Sequence, residues 1–423
     1  MYLKSWVMKS NYKRLGSYII QKGELNKGLV TTNILGISNN KYFVKAKTNL
    51  NGIDLSKYRI VESNQFAFNR ATTRNGDKIS IALREGEICI VSPSYRIFEV
   101  KDENELDPQY LMMWFRRPEF DRYARFKSHG SAHEFFDYEE MCDIELPIPP
   151  IEKQREIIRE YNVINDRIML KEQLIEKLEN STQAIYKQWF VDFEFPISKE
   201  YAELVNRPEL QGNPYQSSGG EISNSGIPLG WEQYDLEALV KRVCVGFVGT
   251  LYSSYCEEDK GIRLLRTTDL TDKGMQYFGN KFVLPEFHHK NKKSQLNYGD
   301  ILVARHGTNG MPVIYDRKDE ANCLNVIIIK PNQSRMTSKI VEQFLKSDLA
   351  LEQIRGSLHG SVQSVLNTKI VASLKLNYFN EDSLNYIDPT YFEAIKTYIE
   401  RARKEINLLS ELNSLILIKM IKV

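Results

Sequence analysis

Residues 150–190 carry a heptad seam, and that seam limits what the chain can become. Ile157, Tyr161, Ile164, Ile168, Ile175, Leu178, Ile185 and Trp189 recur at alternating steps of four and three, with Lys171 and Thr182 in the two remaining seam positions. This is the repeat of a coiled coil rather than a broad amphipathic face. Charged residues such as Glu152, Arg155, Glu160, Glu172 and Lys177 cover the other sides. Some forty residues of helix make a rod of about 60 Å, too long to bury its seam unaided. The end of the chain offers a partner. Phe392, Ile395, Ile399, Ala402, Ile406, Leu409, Ile416, Met420 and Val423 keep the same alternation, with Asn413 in the seam. The two segments are expected to pair as an intramolecular, antiparallel coiled coil, its register set by Asn413, Lys171 and Thr182.

The rest of the chain divides around these rods. Residues 1–149 read as a mixed α/β domain, with strands at Gln65–Phe68 and Glu87–Val100 and a helix opened by Asp107-Pro108. After the first rod at 150–190, residues 191–230 read as a linker. Pro196, Pro208, Pro214, Ser217-Ser218-Gly219-Gly220 and Gly226 punctuate it, and no periodicity survives. Residues 231–385 repeat the first domain's order. Tyr298–Val303 stands where Asn64–Phe68 stood, Thr337 caps a helix matching the one after Asp107, and His359-Gly360-Ser361 matches His129-Gly130-Ser131. The offset stays near 230 residues, and a second rod follows at 386–423. Such an order is a duplication. The expected fold class is α+β: two mixed α/β domains in tandem, joined by two long antiparallel helices.

Bulk properties narrow the class. The 423 residues allow each domain its own core, and a net charge of +2 leaves any polyanion site to local patches. The five cysteines form no CxxC pair, which argues against a disulfide framework or zinc knuckle and for a reducing, cytoplasmic setting. No stretch is apolar enough to cross a bilayer, so no membrane partner is expected. Enzyme signals are poor. Glu99-Val100-Lys101 has the spacing of half a nuclease site but no preceding Pro-Asp, and Asn213-Pro214-Tyr215 lacks the second proline of an adenine methyltransferase motif. No catalytic or metal-binding residue is expected.

The chain resembles the specificity (S) subunit of type I restriction-modification systems. Leu146-Pro147-Ile148-Pro149-Pro150-Ile151-Glu152-Lys153-Gln154-Arg155 opens the first rod, and Trp189-Phe190-Val191-Asp192-Phe193-Glu194-Phe195-Pro196 closes it. Ser217–Gly220, Ile227-Pro228-Leu229-Gly230-Trp231, Gly299–Arg305 and Gly360-Ser361-Val362-Gln363 follow in the family's order. The resemblance implies that each α/β domain is a target recognition domain reading half of a bipartite, asymmetric DNA site. It also implies that the rods space the halves and dock two modification (methyltransferase) subunits, with a restriction subunit completing the complex. S-adenosylmethionine, ATP and Mg²⁺ would then belong to those partners, and this chain would bind no cofactor.

Within that frame, candidate contacts to double-stranded DNA fall on loops and basic runs. Arg70, Arg74 and Lys78 lie on the loop after the Gln65–Phe68 strand. Arg305 and His306 hold the corresponding place in the second domain. A strand-end arginine over such a loop can reach a base edge or a phosphate. Arg263 and Arg266 flank an apolar pair, and Lys290, Lys292 and Lys293 form the densest basic run, either a phosphate site or a solvated face. Ser131 and Ser361 each precede a helix start, where a hydroxyl serves a phosphate or an ordinary N-cap. Trp114, Trp189 and Trp231 read as core or rod anchors.

Overall fold

Helix Ile151–Phe190 runs unbroken for 40 residues and helix Thr390–Lys419 for 30, as the two seams require. The structure is a computed structural model. It describes residues 12–46, 53–71, 78–129, 134–271, 274–276, 281–305, 311–359, 365–380, 383, 387 and 390–422. Asp388 and Pro389, within the second rod's expected 386–423 span, lie outside them. The chain forms two compact units, Met1–Lys171 with Glu405–Val423, and Glu172–Lys404. Each unit therefore holds part of both long helices.

Within the first unit, Ile157, Ile158 and Tyr161 of the first long helix are buried in one cluster with Ile416 and Met420 of the second. Within the second unit, Trp189 meets Phe392 edge-on at 5.6 Å between ring centroids. The beginning of one helix thus packs with the end of the other, which is antiparallel pairing. Every seam position among the described residues is buried or half-buried, Val423 lying outside them, while Val163, Leu170 and Leu408 on other faces are exposed. The polar seam residues divide over the register-setting role expected of them. Lys171 does reach across, with its ammonium 2.7 Å from Glu405, which also pairs with Arg167. Thr182 instead donates to the Leu178 carbonyl of its own helix at 2.5 Å. Buried Asn413 leaves its Oδ1 without a hydrogen-bond partner among the described residues.

The start of the first long helix is tied down by Gln154, which is fully buried. Its amide donates to the carbonyls of Glu105 and Pro149, both at 2.8 Å, and accepts from the Asp107 N–H at 2.9 Å. A buried primary amide with these bonds made holds three chain segments at fixed distances.

The duplication holds in topology. In the first unit, strands Ile19–Lys22, Tyr95–Val100, Gln65–Asn69 and Ile81–Leu83 lie side by side in that order, all antiparallel. In the second, Val240–Val245, Val326–Pro331, Ile301–Ala304 and Pro312–Ile314 repeat that order. Pro108–Phe115, Tyr138–Cys142 and Glu145–Pro147 recur 230 residues later as Ser338–Lys346, Thr368–Ala372 and Lys375–Phe379. Thr337 takes the N-cap position of its helix, although its hydroxyl makes no capping bond.

The 191–230 stretch departs from a flexible tether. It includes helix Lys199–Leu204 and feeds Phe193, Phe195, Ile197, Tyr201 and Tyr215 into the second unit's core. Phe195 stacks between Tyr215 and Trp231, with centroid distances of 4.7 and 4.9 Å. Glu194 accepts from the Ser217 N–H and hydroxyl, both at 3.0 Å. Gly219 sits at φ +83°, and a Cβ on Gly220 would fall 2.4 Å from the Tyr215 ring. These glycines serve a turn and a close approach, not flexibility. Trp114 and Trp231 are buried, and Trp189 packs partly buried against the second unit's core, as expected of anchors.

In the second unit a buried ionic cluster fastens helix Ser338–Lys346 to Glu179 of the first long helix, which Arg403 of the second also approaches. The Lys339 ammonium lies 2.9 Å from Glu179 and 2.7 Å from Glu342, Lys346 lies 2.9 Å from Glu342, and Arg403 lies 3.8 Å from Glu179. Burial works against the Glu342 carboxylate. Lys339 and Lys346 outweigh it and hold the carboxyl well below its usual 4.5. A depressed carboxyl stabilises the fold above its ordinary range, and that contribution drains as the pH falls below about 4.5. Lys339→Met is expected to destabilise the protein by about 3 kcal/mol, because it strips a buried carboxylate of a partner. The double change Lys339→Met, Glu342→Leu should recover much of that loss, as read by thermal unfolding at neutral pH.

Candidate nucleic-acid interface

In the first unit, two loops far apart in sequence meet at the end of strand Gln65–Asn69. The Arg70 carbonyl accepts from the Phe136 N–H at 2.8 Å, and Ala71 forms an antiparallel bridge to Phe135. Phe135 bridges His129 in turn, through bonds of 3.0 and 2.8 Å. The loop bearing Arg70 and Lys78 is thereby joined to the one bearing His129. Arg74 and Ser131 lie outside the described residues. Lys78 is exposed.

The Arg70 side chain is held at this junction. Its guanidinium lies over the Phe135 ring, 4.6 Å from the centroid, and 3.2 Å from Asp137. Asp137 also accepts from Arg96 at 2.7 and 3.1 Å and caps helix Tyr138–Cys142 in a capping box with Glu140. Burial raises the Asp137 carboxyl, but Arg96, the Tyr138 N–H and Arg70 outweigh it, and the group titrates below its usual range.

The second unit repeats the junction with different side chains. The Leu366 N–H donates to the Arg305 carbonyl at 3.3 Å, and Arg305 Nε donates back to the Leu366 carbonyl at 3.2 Å. Leu366 stands 230 residues after Phe136. Arg305 also donates to Asn325 Oδ1 at 2.7 Å. Asn325 adopts a left-handed conformation at φ +54°, and its N–H donates to the Phe247 carbonyl at 2.9 Å. His306 and Ser361 lie outside the described residues.

The remaining candidates separate. Arg266 pairs across a parallel ladder with Leu324, next to Asn325, which brings it to the Arg305 junction, where Asp269 binds its side chain at 3.4 Å. Arg263 lies further along that strand, opposite Ala321. It is 5.1 Å from the Phe282 centroid and 3.8 Å from Asp319. Lys290, Lys292 and Lys293 are exposed around the end of helix Pro285–Lys290. Sequence reasoning missed Arg96, Asp137 and Asn325. Of these only Asp137 carried a local signal, an Asp three residues before a Glu. Among the described residues no group of three or more His, Cys, Asp or Glu is placed to hold a metal, and no helix is long and apolar enough to cross a membrane. All five cysteines are free thiols.

Residues 12–180 match the family described as the type I restriction modification DNA specificity domain. Over that stretch the chain is similar to the specificity subunits of type I restriction-modification systems. The type I restriction enzyme HindI specificity subunit of Haemophilus influenzae is 22% identical over 185 residues, 43% of this chain and 40% of that protein. The MjaIX specificity subunit of Methanocaldococcus jannaschii is 29% identical over 133 residues, 31% of this chain and 27% of that protein. The matched stretches thus span less than half of those relatives. In fold, the chain is similar to the S subunit of a type I restriction-modification system from M. genitalium. That likeness covers 98% of this chain and 97% of the other, with a TM-score of 0.54 at 14% identity.

The Asp137 junction makes a direct prediction. Asp137→Ala removes a helix cap and the acceptor of two arginines, and should cost about 1–2 kcal/mol. It should also speed amide hydrogen exchange at Phe135 and Phe136. Unchanged exchange there would show that the loops are held by other means.

Proposed function

We propose that this chain is the non-catalytic DNA-recognition subunit of a type I restriction-modification complex. Each α/β domain reads one half of a bipartite, asymmetric site in double-stranded DNA. The coiled coil separates the two readers and docks two modification subunits, and a restriction subunit joins the assembly. S-adenosylmethionine, ATP and Mg²⁺ act in those partners, and the complex works in the cytoplasm.

The observation that carries this reading is the recurrence of the loop junction. Phe136 on Arg70 and Leu366 on Arg305 are the same backbone bond in two domains of one topology. Loops mounted on a common frame, with unlike side chains, suit two unlike half-sites. Arg70 and Arg305 contribute as braces for their loops. Lys78, Lys290, Lys292 and Lys293 are exposed cations suited to phosphates, Arg266 stands beside the second junction, and Arg263 sits further from it. Arg74, Ser131, His306 and Ser361 belong to this reading as residues of the same loops. Docking is supported by a second apolar stripe on the late helix. Leu408, Leu412 and Leu415, spaced four and three apart, are 65%, 45% and 60% exposed, outside the intramolecular seam.

Sequencing methylated adenines in DNA from cells expressing this chain with its modification subunits should return one bipartite, asymmetric sequence. Methylation without sequence preference would sink the proposal. Inserting residues near Gln173 in the first long helix should change the spacer between the half-sites and leave each half-site intact. Altered half-sites with an unchanged spacer would show that the helices do not set the separation.

A further inference from the structure

The two units differ sharply at one surface position. Helix Pro118–Lys127 of the first unit and Asp348–His359 of the second begin 230 residues apart. They bury equivalent residues, Phe120 with Ala350 and Ala124 with Ile354. On that alignment Phe126 corresponds to Gly356. Phe126 is 82% exposed. Gly356 is exposed too, and a Cβ added there would meet nothing within 4 Å. Helix stability accounts for neither residue. An exposed phenyl ring gains no burial, and a mid-helix glycine is less favourable than alanine where there is room for a side chain.

Phe126 lies in the final helical turn leading into the junction, three residues before His129. The last two turns carry Arg122, Arg125 and Lys127, and after Asp121 no acidic residue. Arg122 pairs with Glu119 at 3.1 Å and Arg125 with Glu134 at 3.4 Å. The ring is thus an exposed apolar point on a helix turn that also carries Lys127 and the ion-paired Arg122 and Arg125, beside the loops assigned to DNA, a setting compatible with a duplex groove.

We infer that Phe126 is a DNA-contacting residue of the first unit alone, giving an apolar contact to a base edge or deoxyribose in its half-site. Gly356 leaves the second unit without that contact, so this one position distinguishes the two readers. The inference rests on the DNA-recognition reading above.

The test compares wild-type, Phe126→Ala and Phe126→Leu chains, each assembled with the modification subunits. Each is titrated with the methylated duplex and with duplexes altered in either half-site. Phe126→Ala should bind the intact site roughly tenfold more weakly. Its thermal unfolding and salt dependence should match wild type, because neither packing nor a phosphate contact is lost. Phe126→Leu should keep part of the affinity. The penalty should vanish on duplexes altered in one half-site and persist on those altered in the other. Equal affinity, a loss that comes with a lowered melting temperature, or a penalty indifferent to which half-site is altered would overturn the inference. A wild-type complex indifferent to sequence would instead bring down the recognition reading itself.

Discussion

The structure depends on two helical seams that cannot stay in water. Neither the Ile157–Trp189 series nor the Phe392–Met420 series can bury itself, and each unit contains a stretch of both. The seam alone is permissive, because a slide by one heptad would present much the same apolar faces. Specificity comes from polar groups with one satisfactory partner set. Lys171 reaches Glu405, Gln154 is satisfied by Glu105, Asp107 and Pro149, and Glu179 lies among Lys339, Lys346 and Arg403. Moving any of them by a turn would strand a polar group away from its partners, at a cost of about 1–3 kcal/mol. The apolar residues supply the attraction and these groups choose the register.

The same division runs through the duplicated domains. What persists between them is backbone: the strand order, the closing strand and the N–H of Phe136 or Leu366 on the carbonyl of Arg70 or Arg305. A backbone bond tolerates almost any side chain, so the frame survives while loops diverge. The braces around it have changed completely. Arg70 is held by Asp137 and Phe135, whereas Arg305 is held by Asn325 and the Leu366 carbonyl. A recognition surface that changes while its frame persists can be built only this way round.

The parts legible in the sequence are those whose signal is local and periodic. The 3.5-residue repeat places Ile157 through Trp189 correctly at every step, and the 230-residue offset recovers the second domain. Phe193, Phe195 and Tyr215 were not legible, because irregular backbone buries side chains with no period to betray them. Gly219 and Gly220 resemble a flexible tract by composition, whereas one supplies a positive φ and the other admits the Tyr215 ring. At the candidate interface, Arg70 and Arg305 stand out as strand-end arginines. Their bracing role depends on Asp137 and Asn325, 67 and 20 residues away. Arg263 looks like a free strand cation until the strand bearing Ala321 lies beside it and Phe282 covers its guanidinium.

The charge pattern follows from the same economy of partners. A net charge of +2 spread over 423 residues gives almost no general attraction to a polyanion. Arg70, Arg96, Arg125, Arg263 and Arg266 each have a carboxylate within 4 Å, so the arginines nearest the junctions act mainly as struts. Ion pairs left partly in water contribute modest stability individually, and their geometry fixes where the loops stand. A chain arranged in this way holds its loops in shape before any ligand arrives, which lowers the ordering cost of binding. It also leaves discrimination to the few side chains that project beyond the braces.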